Sequence, residues 1–221
     1  VMQHAPEIMG VELVNDGPLG HHDLDALLAA AEGKQAIVLG PGLDRGEDTW
    51  RLLGALLEAV ACPCVLDADA LNALAGHLAL LRKAKGALLL TPHPGELGRL
   101  LGLGSAEVQR TRVALARAFA KDHQVVLALK GARTLIARQD GTVFINPTGN
   151  PGMATGGTGD VLAGLCGALL AQGLSAEDAA VAGVWVHGLA GDLARERRGE
   201  RGLIASDLLE GLGEAWRRWG L

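Results

Sequence analysis

The chain predicts an α/β fold, a mostly parallel central sheet covered by helices on both faces. Three observations predict it. Short apolar runs that end in polar residues alternate with longer stretches whose apolar residues recur at helical spacing. Hydrophobic residues fill 49% of the 221 positions and charged residues 20%, enough to bury the core of one sizeable domain. Aromatic residues make up 3%, with no Tyr, so Ala, Leu, Val and Gly must build that core and helices can lie close on the sheet.

The elements follow in order. "AIVLG" (36–40) reads as a buried strand, leading through a Gly-Pro-Gly turn into a helix over "EDTWRLLGALLEAV" (47–60) with an acidic first turn. "CVLDAD" (64–69) is a second strand ending in two aspartates, and "ALLLT" (87–91) a third, running into "PHPGE". One long amphipathic helix is expected from about Ala106 to Asp122, then a strand at "VVLALK" (125–130). "TLIA" (134–137) and "TVFI" (142–145) form a hairpin through Gln139-Asp140-Gly141. Three helices close the chain at 159–172, 176–195 and 206–219, the last capped by Ser206 or Asp207.

Net charge is −5, which argues against a nucleic-acid or anionic-membrane partner, since both need a basic face. The longest apolar run, Val161 to Ala171, is too short to span a bilayer and no signal-peptide pattern opens the chain, so a cytoplasmic protein is expected. Cys62, Cys64 and Cys166 have no framework spacing and read as buried thiols in a reducing compartment.

In open parallel sheets ligands bind beyond the carboxyl ends of the strands. The polar residues at those ends are Asp67, Asp69 and Asn72; His93 and Glu96; Lys130 to Thr134; and Asn146 to Asp160. The last group holds "NPTGNPGMATGGTGDVLAG" (146–164), a glycine-rich loop that meets a helix at a lone carboxylate. Gly156, Gly157 and Gly159 allow close backbone approach, and the helix start supplies unpaired N–H groups, a combination suited to phosphate. Asp160 stands in that first turn. It is either a base for a hydroxyl that attacks phosphorus or a residue that complements the helix.

"KGART" (130–134) offers a lysine, N–H groups and a hydroxyl for nucleotide phosphates, or is a surface turn. Glu96 in "TPHPGE" is a candidate Mg²⁺ ligand, directly or through water, and His93 a candidate contact to a polar substrate. His187, on an apolar helix, reads as a satisfied core residue; His21, His22, His77 and His123 read as surface or capping residues.

"LGPGL", "VLDADALN", "LTPHPGELGRLLG", "LKGARTLIA" and the glycine-rich block occur in this order. From about Pro6 to the end they resemble the carboxy-terminal, kinase-like domain of the YjeF proteins, the ADP/ATP-dependent NAD(P)HX dehydratases. The resemblance implies a ribokinase-like three-layer α/β/α sandwich. It also implies repair of hydrated NADH or NADPH (NADHX, NADPHX), with the C6 hydroxyl phosphorylated by ADP or ATP before phosphate leaves. It places Lys130, Gly131, Ala132, Arg133, Thr134 and Gly159 on the nucleotide, with Gly156, Gly157 and Thr158 in its phosphate cradle. Gly42, His93 and Asp160 would face the hydrated cofactor, assisted by Asn150, Asp69 and Asn72. Mg²⁺ and assembly as a tetramer or larger homo-oligomer are implied too.

Two departures from the family pattern stand out. Family domains begin with a further strand–helix–strand unit, whereas this chain starts near "APEIMG", so residues 1–221 are expected to form a single domain lacking that unit. The amino-terminal epimerase domain of many relatives is not expected within these residues either, and Asp44 stands where a further glycine is expected. Two rivals remain: a ribokinase-like kinase acting on a sugar or a hydroxymethylpyrimidine, and a non-catalytic nucleotide-binding module.

Overall fold

The computed structural model describes residues 8–13, 17, 19–43, 46 and 48–219. Asp44 and Pro6, where two readings above fall, lie outside them. In chain order the elements are α1 (Leu24–Ala31), β1 (Ile37–Leu39), α2 (Thr49–Ala59), β2 (Cys64–Leu66), α3 (Asp69–Ala73), β3 (Leu88–Leu90), α4 (Pro94–Leu101), α5 (Ser105–Arg110), α6 (Arg112–His123), β4 (Val126–Leu129), β5 (Leu135–Ala137), β6 (Val143–Ile145), α7 (Thr158–Ala171), α8 (Ala176–Arg198) and α9 (Ala205–Trp219).

Among the described residues the sheet has six strands in the order β1-β2-β3-β4-β5-β6. β1 to β4 run parallel, with Val38 opposite Val65, Val65 opposite Leu89 and Leu89 opposite Val126. The hairpin turns β5 and β6 antiparallel, as the Gln139-Asp140-Gly141 turn predicts.

Strand periodicity divides the core into two layers. Leu66, Leu90, Leu127 and Leu129 face one way, against Leu53 and Leu57 of α2, Leu97 of α4 and Phe119 of α6. Val65, Leu89, Val126, Ala128 and Ile136 face the other, against Leu162, Cys166 and Leu169 of α7 and Ala179 and Ala180 of α8. A strand buried on both faces must be apolar throughout, which is why these runs show no alternation. Leu66, Leu89 and Leu90 are fully buried; truncating any of them to Ala would cost about 2–5 kcal/mol. The thiols of Cys64 and Cys166 are buried in these layers, and burial pushes both up to about 12.

Several expectations change in detail. The long helix at 106–122 is two helices, α5 and α6. Thr111 breaks them with φ −122° and ψ 22°, its Oγ1 donating back to the Glu107 carbonyl at 3.1 Å. α2 begins at Thr49, so Asp48 precedes its first turn and bonds Arg51 rather than lying inside it. α9 begins at Ala205, so Ser206 lies within the helix. Asp207 closes the start, accepting from the Ile204 N–H at 3.0 Å. Among the described residues no helix is long and apolar enough to cross a membrane.

Candidate active site

The site is assembled at the carboxyl ends of β1 to β4. β2 delivers Asp67, and the next residue, Ala68, has φ 49° and ψ −114°, a conformation that costs an L-residue about 1–3 kcal/mol. β3 delivers Pro92 and His93, β4 delivers Lys130, and the loop after β6 delivers Asn146 to Gly157. The Lys130 N–H donates to the Pro92 carbonyl at 2.8 Å, tying the ends of β3 and β4 together.

At the centre the Lys130 ammonium is 2.7 Å from Asp67 Oδ1 and 3.7 Å from Glu96 Oε2. Both carboxylates are buried, whereas the lysine side chain keeps 20% of its exposure. Glu96 serves twice, since its Oε2 also accepts the His93 N–H at 2.7 Å. The His93 ring in turn accepts at Nδ1 from the Gly95 and Glu96 N–H groups, at 3.0 and 3.2 Å. Burial holds His93 below the ordinary imidazole value, with Glu96 opposing and Lys130 and Arg99 reinforcing the shift.

Above this cluster α7 begins. Gly157 caps it in the left-handed region, φ 86° and ψ −17°, where a side chain would be strained. The first N–H to find a helical carbonyl is that of Val161. Among the described residues nothing accepts from the N–H groups of Thr158, Gly159 and Asp160, which leaves the positive end of the helix open. Asp160 is exposed in this turn. A Cβ placed on Gly159 would lie 3.3 Å from Lys130 Nζ and 3.6 Å from Asp67 Oδ2, so the buried pair stands directly against the helix start.

Two long-range clamps hold the loops. Arg112 donates from its guanidinium to the carbonyls of Ala132 and Leu129, at 2.8 and 3.2 Å, and shapes the Lys130–Thr134 loop. Asp192 of α8 accepts from the Gly149 N–H at 2.9 Å and the Asn150 amide at 3.0 Å. Thr148 seats against Gly188, where a Cβ would come within 2.1 Å of its Oγ1. The two loops also meet: the Asn146 N–H donates to the Thr134 carbonyl at 2.9 Å, and Arg133 to the Pro147 carbonyl at 2.8 Å.

Of the residues singled out from sequence, Lys130, His93, Glu96, Thr158, Gly159 and Asp160 converge here, with Gly131, Ala132, Arg133 and Thr134 on one rim and Gly156 and Gly157 on the other. Asn150 is the cap of the 151–153 turn, accepting from the Gly152 N–H while its amide is spent on Asp192. Gly42 follows β1 with φ 76° and open space around it. Asp69 and Asn72 line a cavity of about 230 Å³ with Thr49, Trp50 and His77, the last two stacked at 4.1 Å. His187 donates from Nε2 to the Thr158 carbonyl at 2.9 Å, and burial lowers it to about 4, in keeping with the core reading. Sequence reasoning missed Asp67 as a partner, Arg112 and Asp192. A run of two aspartates after an apolar strand was a signal for Asp67; the other two carried none.

Fold and site together define a ribokinase-like three-layer α/β protein with its polar loops gathered at the strand ends. Its backbone superposes on the ADP/ATP-dependent NAD(P)H-hydrate dehydratase of Bacillus subtilis with a TM-score of 0.75, at 34% identity, covering 86% of this chain and 70% of that one. The chain belongs to the NAD(P)H-hydrate dehydratase family, which it matches over residues 1–213. It is 49% identical to the bifunctional NAD(P)H-hydrate repair enzyme Nnr of Moorella thermoacetica, over 92% of this chain and 39% of that protein. It is 43% identical to the ADP-dependent (S)-NAD(P)H-hydrate dehydratase of Neisseria meningitidis serogroup B, over 87% of this chain and 64% of that protein. The chain thus spans about two fifths of the length of its bifunctional relative.

Proposed function

We propose that this chain carries out the dehydratase step of nicotinamide nucleotide repair, converting (6S)-hydrated NADH or NADPH to the reduced dinucleotide at the expense of ADP or ATP. The observation that carries the reading is the place of Asp160, an exposed carboxylate in the first turn of α7 beside open N–H groups and the Lys130–Asp67 pair. The activities named for the Neisseria and Bacillus relatives support the substrate pair.

In this reading Lys130 to Thr134, Gly156, Gly157, Thr158 and Gly159 hold the nucleotide phosphates. Asp160 takes the proton of the C6 hydroxyl while its oxygen bonds to the terminal phosphorus and the bond to the departing nucleotide breaks. Phosphate, unlike hydroxide, is a good leaving group. The lone pair of the ring nitrogen expels it from C6, and loss of a C5 proton restores the double bond. Gly42 and His93 contact the hydrated ring side, Asn150 shapes the loop above it, and the cavity beside Asp69 and Asn72 receives the second nucleotide. Glu96 Oε1, 3.4 Å from His93 Nε2, fits one ligand of a Mg²⁺ held mostly by nucleotide phosphates and water. That cation would neutralise phosphate charge. We place the chain as one domain of a cytoplasmic homo-oligomer, a tetramer or larger. Ile204 and Leu209, each 56% exposed, and Trp219 offer apolar contact area at its carboxy-terminal end.

The test mixes the protein with hydrated NADH or NADPH, Mg²⁺ and either ADP or ATP. Return of the near-ultraviolet absorbance of the reduced ring with equimolar phosphate release supports the dehydratase. Accumulation of a stable phosphorylated product would move the assignment to a small-molecule kinase. Nucleotide binding without turnover would leave a binding module.

A further inference from the structure

We propose that Arg112 is a positioning residue for nucleotide binding. Its guanidinium fixes carbonyls of the Lys130–Thr134 loop on one side and so presents N–H groups of that loop to a phosphate on the other. The inference deepens the proposed function, on which its choice of ligand rests. Arg112 opens α6, 17 and 20 residues before the carbonyls it binds. One terminal nitrogen donates at 3.2 Å to the carbonyl of Leu129, the last residue of β4, and the other at 2.8 Å to that of Ala132, in the middle of the loop.

A trans peptide unit points its C=O and its N–H in opposite directions. With the Ala132 carbonyl on Arg112, the Arg133 N–H of the same unit must face away from the guanidinium. The Gly131 carbonyl is occupied too, by the Thr134 hydroxyl at 3.1 Å, which turns the Ala132 N–H away from that hydroxyl. The backbone angles suit this. φ is positive at Gly131, 139°, and at Arg133, 59°, but not at Ala132 between them. Alternation of this kind gathers successive N–H groups on one concave side, which binds anions. Among the described residues nothing accepts from the N–H groups of Ala132 and Arg133, and both residues are exposed.

Arg112 is built for this use. Among the described residues its guanidinium meets the two carbonyls and no carboxylate, and its buried Nε has no acceptor. The loop backbone rests on the guanidinium, because a Cβ on Gly131 would lie 3.5 Å from both terminal nitrogens. A planar fork spans two carbonyls three residues apart, which the single ammonium of a lysine does not. The half-buried cation also keeps its charge free of any counter-ion, and that charge favours an anion across the loop.

The test compares Arg112→Met, which keeps an apolar stem and removes the donors, with Arg82→Met. Arg82 makes a clamp of the same kind at the other end of α6, donating to the Asp122 carbonyl at 2.6 Å, and controls for general loosening. Calorimetry with Mg²⁺ and ADP or ATP should show binding weakened at least about tenfold in Arg112→Met and unchanged in Arg82→Met. KM for the nucleotide should rise by the same factor, while kcat at saturating nucleotide and KM for the hydrated dinucleotide stay within about twofold. Arg112→Lys should bind nucleotide more tightly than Arg112→Met and less tightly than the parent, and it carries the comparison by itself if Arg112→Met does not fold. Parental affinity in the Arg112 variants, equal weakening in Arg82→Met, or a fall in kcat with nucleotide KM unmoved overturns the proposal. A parent that binds neither ADP nor ATP sinks the functional reading instead. The loop assignment is then read from backbone ¹⁵N relaxation: Ala132 and Arg133 amides rigid in the parent and mobile in Arg112→Met keep it, and equal rigidity in both overturns it.

Discussion

The Lys130 ammonium stands 2.7 Å from the buried Asp67 carboxylate, joining the ends of two strands that are not neighbours in the sheet. Removing one member of such a pair leaves the other charge buried and uncompensated, which costs about 3–5 kcal/mol when burial is complete. Lys130 keeps a fifth of its exposure and Glu96 is 3.7 Å away, so Asp67→Asn should cost about 2–3 kcal/mol, the discounted lower end. Denaturant unfolding reads this directly. The double variant Asp67→Asn with Lys130→Met should recover part of the loss. If the two costs simply add, the pair is not the source of the stability.

Asp160 is the contrasting carboxylate, exposed in the first turn of α7, where the proposed function puts the phosphate. Asp160→Asn keeps its shape and removes the base. Turnover should drop by about 10²–10⁴-fold. Nucleotide affinity, measured by calorimetry with ADP or ATP and Mg²⁺, should hold or rise, because a like charge beside the phosphates is gone. Unchanged turnover would sink the base assignment.

How much of this was legible in the sequence depended on the range of the forces involved. The parallel strands were legible because burial on both faces leaves an unbroken apolar run, as in Val126–Leu129, bounded by a polar exit such as Lys130. The loop of Gly156 to Asp160 was legible because its glycines and its position before a helix are local facts. The break at Thr111 was not, since the apolar spacing continues through it and only the backbone angles of one residue reveal it. Arg112 and Asp192 looked like solvated helix residues. Their carbonyl and amide partners lie 17 to 43 residues away, beyond the reach of any periodicity. Asp67 showed its position but not its partner, 63 residues on.

Gly159 separates binding from folding. Its added Cβ would stand 3.3 Å from Lys130 Nζ and 3.6 Å from Asp67 Oδ2, close enough to press the lysine head but not to strike backbone. Alanine is the better helix former, by up to about 1 kcal/mol. Gly159→Ala should therefore leave the melting temperature within a few degrees of the parent. In the proposed function a phosphate approaches the N–H groups there and the methyl group intrudes on it, so KM for the nucleotide should rise about tenfold, equivalent to about 1.4 kcal/mol. A large fall in melting temperature with unaltered KM would mean that the glycine serves packing alone.

Acid stability follows from the imidazoles that folding withdraws from water, in part for His93 and His123 and almost wholly for His187. Burial lowers His93, His123 and His187, and for His187 it does so from 6.5 to about 4. The His187 ring, donating from Nε2 to the Thr158 carbonyl, is neutral when folded. The unfolded chain takes up a proton there first, as pH falls through 6.5, and the folded chain only near 4. Stability is therefore whole above pH 6.5, declines as the solution is acidified, and stops declining from this source below about pH 4. The loss at His187 alone is on the order of 3 kcal/mol across that window. Urea midpoints measured at intervals between neutral and acid pH should trace this slope, and His187→Gln should flatten it while leaving the slopes due to His93 and His123. An equally steep slope in His187→Gln would show that carboxylates, rather than this histidine, govern the acid limb.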